Sequence, residues 1–360
     1  MNLHIFNPEH DIALAFNRKR FTAPHAAQEL RMNLGWIPAL WADDGDAVLV
    51  DDVDFAVKAA SRFNGRKSDV SFVSCDGIRG MTVDRVMPWG WDNALKTRLA
   101  DAGVTPGVMP SGNVMEHIRL LSSRIQTRTA VAALRRGIGK LTCGEAFLVD
   151  DIKEIDHFLS KRGKIVVKAP WSGSGRGVRY VDGKMSRSVE GFVKNVIYEQ
   201  GGVMVEPYYN KVIDFGMEFE SLGDGNVVYR GLSLFQTRNG AYTGNLLACE
   251  DEKMEMMNRY LPYGLLDGLR SRACRYFTDL LKGMYRGPFG VDMMVVAGGD
   301  DGGGFLLHPC VEINLRRTMG HVALALSPAG PAAHRLMHID HDVNYVLRVS
   351  MLENPFAKVL

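Results

Sequence analysis

A short apolar strand that ends in a lysine and runs directly into a glycine-rich turn constrains this chain more than any other feature. The strand spans residues 164–168 and ends at Lys168. Glycines allow a backbone to approach a phosphate closely and to direct N–H groups at it. A strand resumes at Val178, so the segment predicts a hairpin, not the helix that follows a P-loop or a dinucleotide-binding turn. The turn consists of Ser172, Gly173, Ser174, Gly175, Arg176 and Gly177.

Taken alone, this hairpin also has ordinary explanations. Glycine-rich segments commonly serve as flexible turns, and Lys168 could be an edge residue whose ammonium reaches solvent. A lysine within an apolar strand is nevertheless rarely buried without a partner, and a phosphate oxygen is a suitable partner. A phosphate-binding loop is therefore a hypothesis that needs support from a second motif.

A second motif supplies oxygen ligands for a metal. Glu312 and Asn314 lie two residues apart on a predicted strand, so both side chains point to one face. Pairing of strands 289–296 and 305–314 in a hairpin would bring Asp292 near Glu312. The alternative is a solvated polar face, but two carboxylates on one strand pair repel each other unless a cation lies between them. The set predicts a magnesium site completed by phosphate and water.

Composition excludes several other classes of protein. The chain has 360 residues, is 46% hydrophobic and 23% charged, and carries a net charge of +2. No basic excess indicates nucleic acid, and no apolar stretch approaches the roughly 20 residues that span a bilayer. The N-terminus does not resemble a signal peptide, and the five cysteines are scattered without a CxxC pair. We expect a cytoplasmic protein without disulfides, structural zinc, nucleic-acid partners or membrane contacts.

The order of strands and helices predicts the domain organisation. Strands and helices alternate in the first 110 residues, which predicts an α/β domain with a largely parallel sheet. A segment rich in glycine and proline marks the end of this domain. The expected parts are an N-terminal α/β domain (1–110), a small α+β subdomain with the glycine hairpin (111–202), a large α+β subdomain with the metal site (203–335) and a C-terminal extension (336–360).

The order of these motifs resembles the ATP-grasp superfamily. The glycine hairpin is followed by Val-Glu-Pro-Tyr-Tyr at 205–209, Gly-Val-Asp at 290–292 and Glu-Ile-Asn-Leu-Arg at 312–316. The resemblance covers about residues 111–330, and residues 1–110 resemble the α/β domain that precedes this fold in many members. It implies an ATP-grasp fold of two α+β subdomains that hold the nucleotide between them.

The resemblance also implies roles for individual residues at the nucleotide. Lys168 would contact the phosphates of ATP, and the glycine-rich loop would close over them. The backbone at Glu206, together with Tyr208 and Tyr209, would border the adenine. Asp214 would lie near the ribose.

At the reacting end, the resemblance implies a metal site and two catalytic residues. Asp292, Glu312 and Asn314 would bind magnesium, and manganese would suit the same ligands. Arg316 would steady a phosphate or an acylphosphate intermediate, with Lys168 as the second catalytic residue.

Two positions depart from the pattern of the superfamily. Many members carry an earlier nucleotide-binding lysine, but the matching segment here has none, and Arg124 or Arg128 would replace it. Leu315 follows the asparagine where many members have proline. The first departure leaves the early nucleotide contacts undecided.

Three further segments remain open on sequence alone. The segment Asn7–Asp11 follows the first strand, where open α/β sheets bind ligands, but it also fits a capped loop. The aromatic segment 88–92 could line a pocket or pack between domains. Arg238 could bind a substrate carboxylate or lie on a surface loop.

The sequence therefore predicts an enzyme that uses ATP and magnesium to join a carboxylate to an amine or a similar nucleophile. An acylphosphate would form, with release of ADP and phosphate. The expected substrates are small molecules or peptides, and ligases of this resemblance are often homodimers. The alternatives are a small-molecule kinase of the same fold and a non-catalytic nucleotide-binding protein.

Overall fold

Three β-sheets organise the part of the chain that the structure describes. The computed structural model describes residues 1–65, 67–172, 177–238, 241–298 and 304–352. One sheet is parallel and has four strands, and the other two are antiparallel with four and seven strands. No helix within these ranges is both long and apolar enough to cross a membrane.

The N-terminal sheet is parallel, with the strand order β3-β2-β1-β4. The loops after β1 and β4 leave neighbouring strands at the carboxyl edge, the usual place for ligands in such sheets. The strands are β1 (Asn2–Ile5), β2 (Ala47–Leu49), β3 (Ser71–Val73) and β4 (Arg85–Pro88). The helices are α1 (His10–Phe16), α2 (His25–Leu34), α3 (Val53–Arg62) and α4 (Asn93–Asp101).

Two helices lead into a small antiparallel sheet with the order β5-β8-β6-β7. Ser111 caps the first of these helices by accepting a hydrogen bond from the backbone N–H of Val114. The helices around this sheet are α5 (Gly112–Leu121), α6 (Ile125–Arg135), α7 (Ile152–Arg162) and α8 (Arg187–Gln200). Its strands are β5 (Phe147–Val149), β6 (Lys164–Lys168), β7 (Val178–Asp182) and β8 (Val203–Pro207).

The large sheet has seven antiparallel strands in the order β13-β12-β9-β10-β11-β14-β15. Its last two strands lie within or next to the predicted C-terminal extension and continue the sheet at one edge. The strands are β9 (Lys211–Ser221), β10 (Val227–Arg238), β11 (Ala241–Leu247), β12 (Gly287–Ala297), β13 (Phe305–Asn314), β14 (Arg335–His341) and β15 (Tyr345–Met351). Its helices are α9 (Glu250–Met257), α10 (Leu265–Leu281) and α11 (Met319–Leu326).

The alternation of residues along β9 gives the large sheet one apolar face and one polar face. Phe215, Met217 and Phe219 are fully buried in the core, whereas Asp214 and Glu218 point the opposite way. The apolar face packs against helices α6 and α10. The polar face is therefore the face on which the sheet can build a site.

An aromatic cluster lies at the centre of the apolar face. The ring of Phe219 stacks on Phe289 at a centroid distance of 5.3 Å and contacts Phe277 and Tyr229 at 6.0 and 5.7 Å. Since Phe219 is fully buried, removal of its ring leaves a cavity that the surrounding side chains fill only in part.

We expect Phe219→Ala to lower the free energy of unfolding by about 3–5 kcal/mol, the usual cost of removing a buried aromatic ring. Chemical denaturation of both proteins measures the difference. Phe16→Ala is the matched control, because the Phe16 ring is 55% exposed and its loss should cost no more than about 1 kcal/mol. Equal losses in the two variants would contradict the assigned core.

Candidate active site

A cleft of about 750 Å³ separates the small sheet from the polar face of the large sheet. Its size is within the usual range for small-molecule and cofactor sites. It is lined by most of the described residues for which the sequence predicts a nucleotide or metal role. These are Arg124, Lys168, Glu206, Tyr208, Tyr209, Asp214, Asp292 and Glu312.

The hairpin of β12 and β13 brings the predicted metal ligands together. Asp292 pairs directly with Glu312 across the two strands, as the sequence predicts, and Gly290 pairs with Asn314. Asn314 Nδ2 donates a hydrogen bond to Asp292 Oδ2 at 3.0 Å. Asp292 and Glu312 line the cleft, whereas Asn314 lines a small gap that shares Glu312 with it, so the two carboxylates and the amide lie next to one another at this corner.

The electrostatics of this corner favour a bound cation. Burial, together with the nearby carboxylates of Glu312 and Glu218, raises the pKa of Asp292 to about 8. A divalent ion would relieve this repulsion and return Asp292 to its charged form. Within the described residues, no three His, Cys, Asp or Glu side chains come together to hold a metal. The set of two carboxylates and one amide instead fits magnesium, which keeps positions for phosphate and water.

Lys168 is buried at the end of β6 and has a protein partner. Its Nζ donates to Glu206 Oε2 on the neighbouring strand β8 at 2.6 Å, and both side chains are more than 90% buried. The sequence predicts an adenine-bordering role for the Glu206 backbone, and the structure shows in addition an ion pair of its side chain. The ammonium has two further N–H donors available for an anion in the cleft.

Arg124 and Arg128, the two candidates for the missing lysine, occupy different environments. Arg128 is exposed on α6. Arg124 is 5% exposed, and its guanidinium contacts Glu312 Oε1 at 2.7 Å. It also donates to Ser172 Oγ at 2.5 Å and to the carbonyl of Ala169 at 2.8 Å. Arg124 therefore connects the base of the glycine-rich loop to the predicted metal site.

Only the two ends of the glycine-rich loop are described. Gly173, Ser174, Gly175 and Arg176 lie outside the described residues. The two ends are adjacent, because the Ala169 N–H donates to the Gly177 carbonyl at 2.8 Å. A Cβ on Gly177 would lie 2.1 Å from Ser172 Oγ, so this close approach of the two ends requires glycine.

The opposite end of the cleft has aromatic walls. Tyr208 is 48% exposed, and its ring meets Tyr180 edge to face at 6.1 Å. Tyr209 packs against His308 at 5.4 Å, and burial raises the pKa of the Tyr209 hydroxyl. Asp214 accepts a hydrogen bond from Thr237 at 2.6 Å and forms an ion pair with Lys211. This end offers ring faces and polar groups suited to a base and a sugar.

Arg316 lies between the predicted metal site and the N-terminal α/β unit. Its Nε and Nη2 donate to the two carboxylate oxygens of Asp11 at 2.9 and 2.7 Å. Burial opposes the charge on Arg316, but Asp11, Glu312 and Asp292 together raise its pKa. The segment Asn7–Asp11, left open by the sequence, thus borders the site through its last residue.

Two functional candidates were missed by sequence reasoning. Glu218 is buried on β9 next to Gly290, accepts a hydrogen bond from Thr318 Oγ1 at 2.8 Å and lies 3.0 Å from His321 Nδ1. Its position two residues from Gly216 on the polar face of β9 could have indicated it. His308 is buried behind Tyr209, and burial and Lys168 lower its pKa to about 3.

Two other sequence candidates lie apart from the cleft. Arg238 is exposed at the end of β10 and is not among the residues that line it. Trp89 and Trp91 are buried in apolar clusters that contain side chains of both the N-terminal unit and the large sheet. For segment 88–92, the structure favours the packing role that the sequence left open.

No protein-family model and no curated protein matches the sequence. Solved structures do resemble it. The pyruvate carboxylase of Rhizobium etli has a TM-score of 0.53 at 13% identity and covers 99% of this chain and 36% of its own. A biotin carboxylase–β-γ-ATP complex from Campylobacter jejuni scores 0.50 at 14% identity, with 94% and 75% covered. N5-carboxyaminoimidazole ribonucleotide synthetase from Thermus thermophilus scores 0.50 at 13% identity, with 94% and 83% covered.

These similarities confirm the ATP-grasp fold that the sequence motifs predict. At such low identity they establish the fold alone, because one fold can carry many reactions.

Gly320 provides a test of the position of Glu218. A Cβ on Gly320 would lie 1.9 Å from Glu218 Oε1, and Thr318 and His321 hold that carboxylate in place. Alanine normally stabilises a helix by about 1 kcal/mol relative to glycine, but Gly320→Ala should lower the free energy of unfolding by about 1–3 kcal/mol through overpacking.

Gly268→Ala in α10 is the matched control for this measurement by chemical denaturation. A Cβ there would meet no atom within 4 Å, so alanine should be neutral or stabilising by up to about 1 kcal/mol. If Gly320→Ala is as stable as Gly268→Ala, Glu218 does not occupy the assigned position.

Proposed function

We propose that the protein is an ATP- and magnesium-dependent ligase that joins a carboxylate to an amine or a similar nucleophile. The observation that carries this proposal is the direct pairing of Asp292 with Glu312 in a cleft whose opposite wall presents Lys168. Cationic groups on one wall and a pair of carboxylates on the other suit a triphosphate that carries a divalent ion. The ATP-grasp fold supports the proposal, since one structure with this fold is a biotin carboxylase–β-γ-ATP complex.

Each part of the cleft has a role in the proposed reaction. Asp292, Glu312 and Asn314 would hold magnesium, which neutralises phosphate charge when it is bound. Lys168 and Arg124 would bind phosphate oxygens, and Arg316 would stabilise charge on the transferring group. The aromatic end near Tyr208, Tyr209 and Asp214 would receive the nucleoside, with the backbone of Glu206 beside the adenine.

The chemistry requires no nucleophile from the protein. An oxygen of the substrate carboxylate forms a bond to the γ-phosphorus while the bond to the β-γ bridging oxygen breaks, which gives an acylphosphate and ADP. The amine then attacks the acyl carbon, and phosphate leaves. The protein contributes mainly by positioning the reactants and by stabilising charge.

The first test is magnesium-dependent binding of a non-hydrolysable ATP analogue. The melting temperature of the wild-type protein should rise when the analogue and magnesium are added together, because binding to the native state stabilises it. Asp292→Asn should lose the magnesium-dependent part of this rise. At pH 8 and without added ligand, this variant should be at least as stable as the wild type. The folded-state pKa of Asp292 is raised to about 8, so Asp292 lowers the free energy of unfolding of the wild type as the pH rises from about 4 to 8, and asparagine does not.

Tyr198→Phe is the control, because this tyrosine is 89% exposed on α8 and its replacement should change neither quantity. An unaltered magnesium response in Asp292→Asn would rule out the metal assignment. Screening of carboxylate and amine pairs for phosphate release then tests the reaction. A stable phosphoester as product would indicate a kinase instead, and binding without turnover would indicate a nucleotide-binding protein.

The two arginines of the early segment allow a matched comparison. Arg124→Gln should weaken binding of the magnesium–ATP analogue roughly tenfold, because it removes a buried cation next to Glu312 and Ser172. Arg128→Gln, four residues along the same segment but exposed, should change the dissociation constant less than about twofold. Isothermal titration measures both, and similar effects in the two variants would remove Arg124 from the nucleotide site.

A further inference from the structure

The ion pair of Arg316 with Asp11 joins two parts of the chain that are 305 residues apart. The two side chains are 18% and 25% exposed, so the pair is largely removed from solvent. Both carboxylate oxygens accept a hydrogen bond from the guanidinium. This bidentate arrangement fixes the plane of the guanidinium as well as its position.

The remaining hydrogen bonds of Arg316 limit what else it can bind. Its Nη1 donates to the carbonyl of Arg317 at 3.1 Å, so three of its five N–H groups are in use. One N–H on each of Nη1 and Nη2 remains. Arg316 can therefore offer two donors to a further anion without releasing Asp11.

Asp11 lies where several parts of the molecule meet. Asp11, Glu312, Asn314 and Ser172 line one small gap of about 10 Å³ beside the cleft. This gap joins the N-terminal unit, the base of the glycine-rich loop and the proposed metal ligands. The carboxylates of Glu312 and Asp292 line the cleft and lie close enough to Arg316 to raise its pKa. Arg316 is therefore next to the wall of the cleft at which a nucleotide would present its transferring group.

The loops after β1 and β4 are connected to each other just before α1, the helix that carries Asp11. Asn7 Nδ2 donates to the Gly90 carbonyl at 2.8 Å and to Asp92 Oδ2 at 3.1 Å. Asp92 in turn caps α4 by accepting a hydrogen bond from the Leu95 N–H. The two loops therefore support each other at the start of the helix from which the Asp11 carboxylate projects.

We propose that Asp11 is a positioning residue that holds Arg316 with its two free N–H groups directed at the phosphoryl group in transfer. The inference rests on the proposed function and gives the N-terminal unit a direct part in it. A long arginine side chain loses considerable conformational freedom when it is fixed. Because Asp11 fixes the side chain of Arg316 before the nucleotide binds, Arg316 can act on the transferring group without reorganising.

The probes are MgADP and MgADP with aluminium fluoride, which imitates a phosphoryl group in transfer. The wild-type protein should bind the aluminium fluoride complex more tightly than MgADP alone. Asp11→Asn should leave the dissociation constant of MgADP within about twofold and weaken the aluminium fluoride complex roughly tenfold or more, because the fixed orientation of a charged donor is lost.

A double-mutant cycle separates positioning from a structural role. Arg316→Ala should weaken the aluminium fluoride complex at least as much as Asp11→Asn, and adding Asp11→Asn to Arg316→Ala should cause no further loss. Glu220→Gln is the control, since Glu220 also forms an ion pair with an arginine, Arg230, through two of its nitrogens, outside the site. It should leave both affinities unchanged. Asp11→Glu keeps the charge and should retain part of the effect even if Asp11→Asn folds poorly.

The experiment distinguishes failure of the proposed function from failure of the positioning role of Asp11. If no variant, including the wild type, binds MgADP, the proposed function is wrong and the inference falls with it. If MgADP binds but aluminium fluoride adds no affinity in the wild type, or if Asp11→Asn and Asp11→Glu both bind the complex as tightly as the wild type, then the positioning role alone is overturned. Additive losses in the double variant would also overturn it.

Discussion

The repulsion between two carboxylates that face each other across β12 and β13 is the constraint on which the site depends. Strand pairing places Asp292 directly opposite Glu312, and the backbone hydrogen bonds of the hairpin prevent them from moving apart. Two like charges directly opposite each other destabilise a sheet unless a cation compensates them. Arg124 contacts Glu312, and the pKa of Asp292 is raised to about 8. The fold thus keeps Asp292 largely protonated near neutral pH, and a bound metal would favour its charged form.

The local parts of this design could be predicted from the sequence. The two strands of the hairpin, their pairing and the strand that ends at Lys168 follow from the period of two in their side chains and from the turns between them. The helix that Ser111 caps follows from local chemistry in the same way. Each of these features depends on residues that are close in the chain or are paired in a hairpin.

The contacts that complete the site could not be predicted in this way. The pair of Arg124 with Glu312 and that of Arg316 with Asp11 join residues 188 and 305 positions apart. No periodicity connects such positions, because their proximity depends on how the three sheets are arranged. Glu218 is an intermediate case: the alternation of β9 places it on the polar face, but only the glycines at 290 and 320 make room for its side chain. The sequence could therefore indicate which residue types form the site, but not how they are paired.

The ion pairs of the cleft provide a physical explanation of how it would accept the proposed nucleotide. Lys168 is paired with Glu206 and Arg124 with Glu312, so neither cation is buried alone. An unpaired buried charge would destabilise the fold by several kcal/mol. If a nucleotide and a metal enter together, a phosphate would replace Glu312 as the partner of Arg124. The metal would replace Arg124 as the partner of Glu312. Because both partners are exchanged at once, no charge has to be left uncompensated in the cleft. Binding of either the nucleotide or the metal alone would lack this compensation, and the two should therefore bind cooperatively.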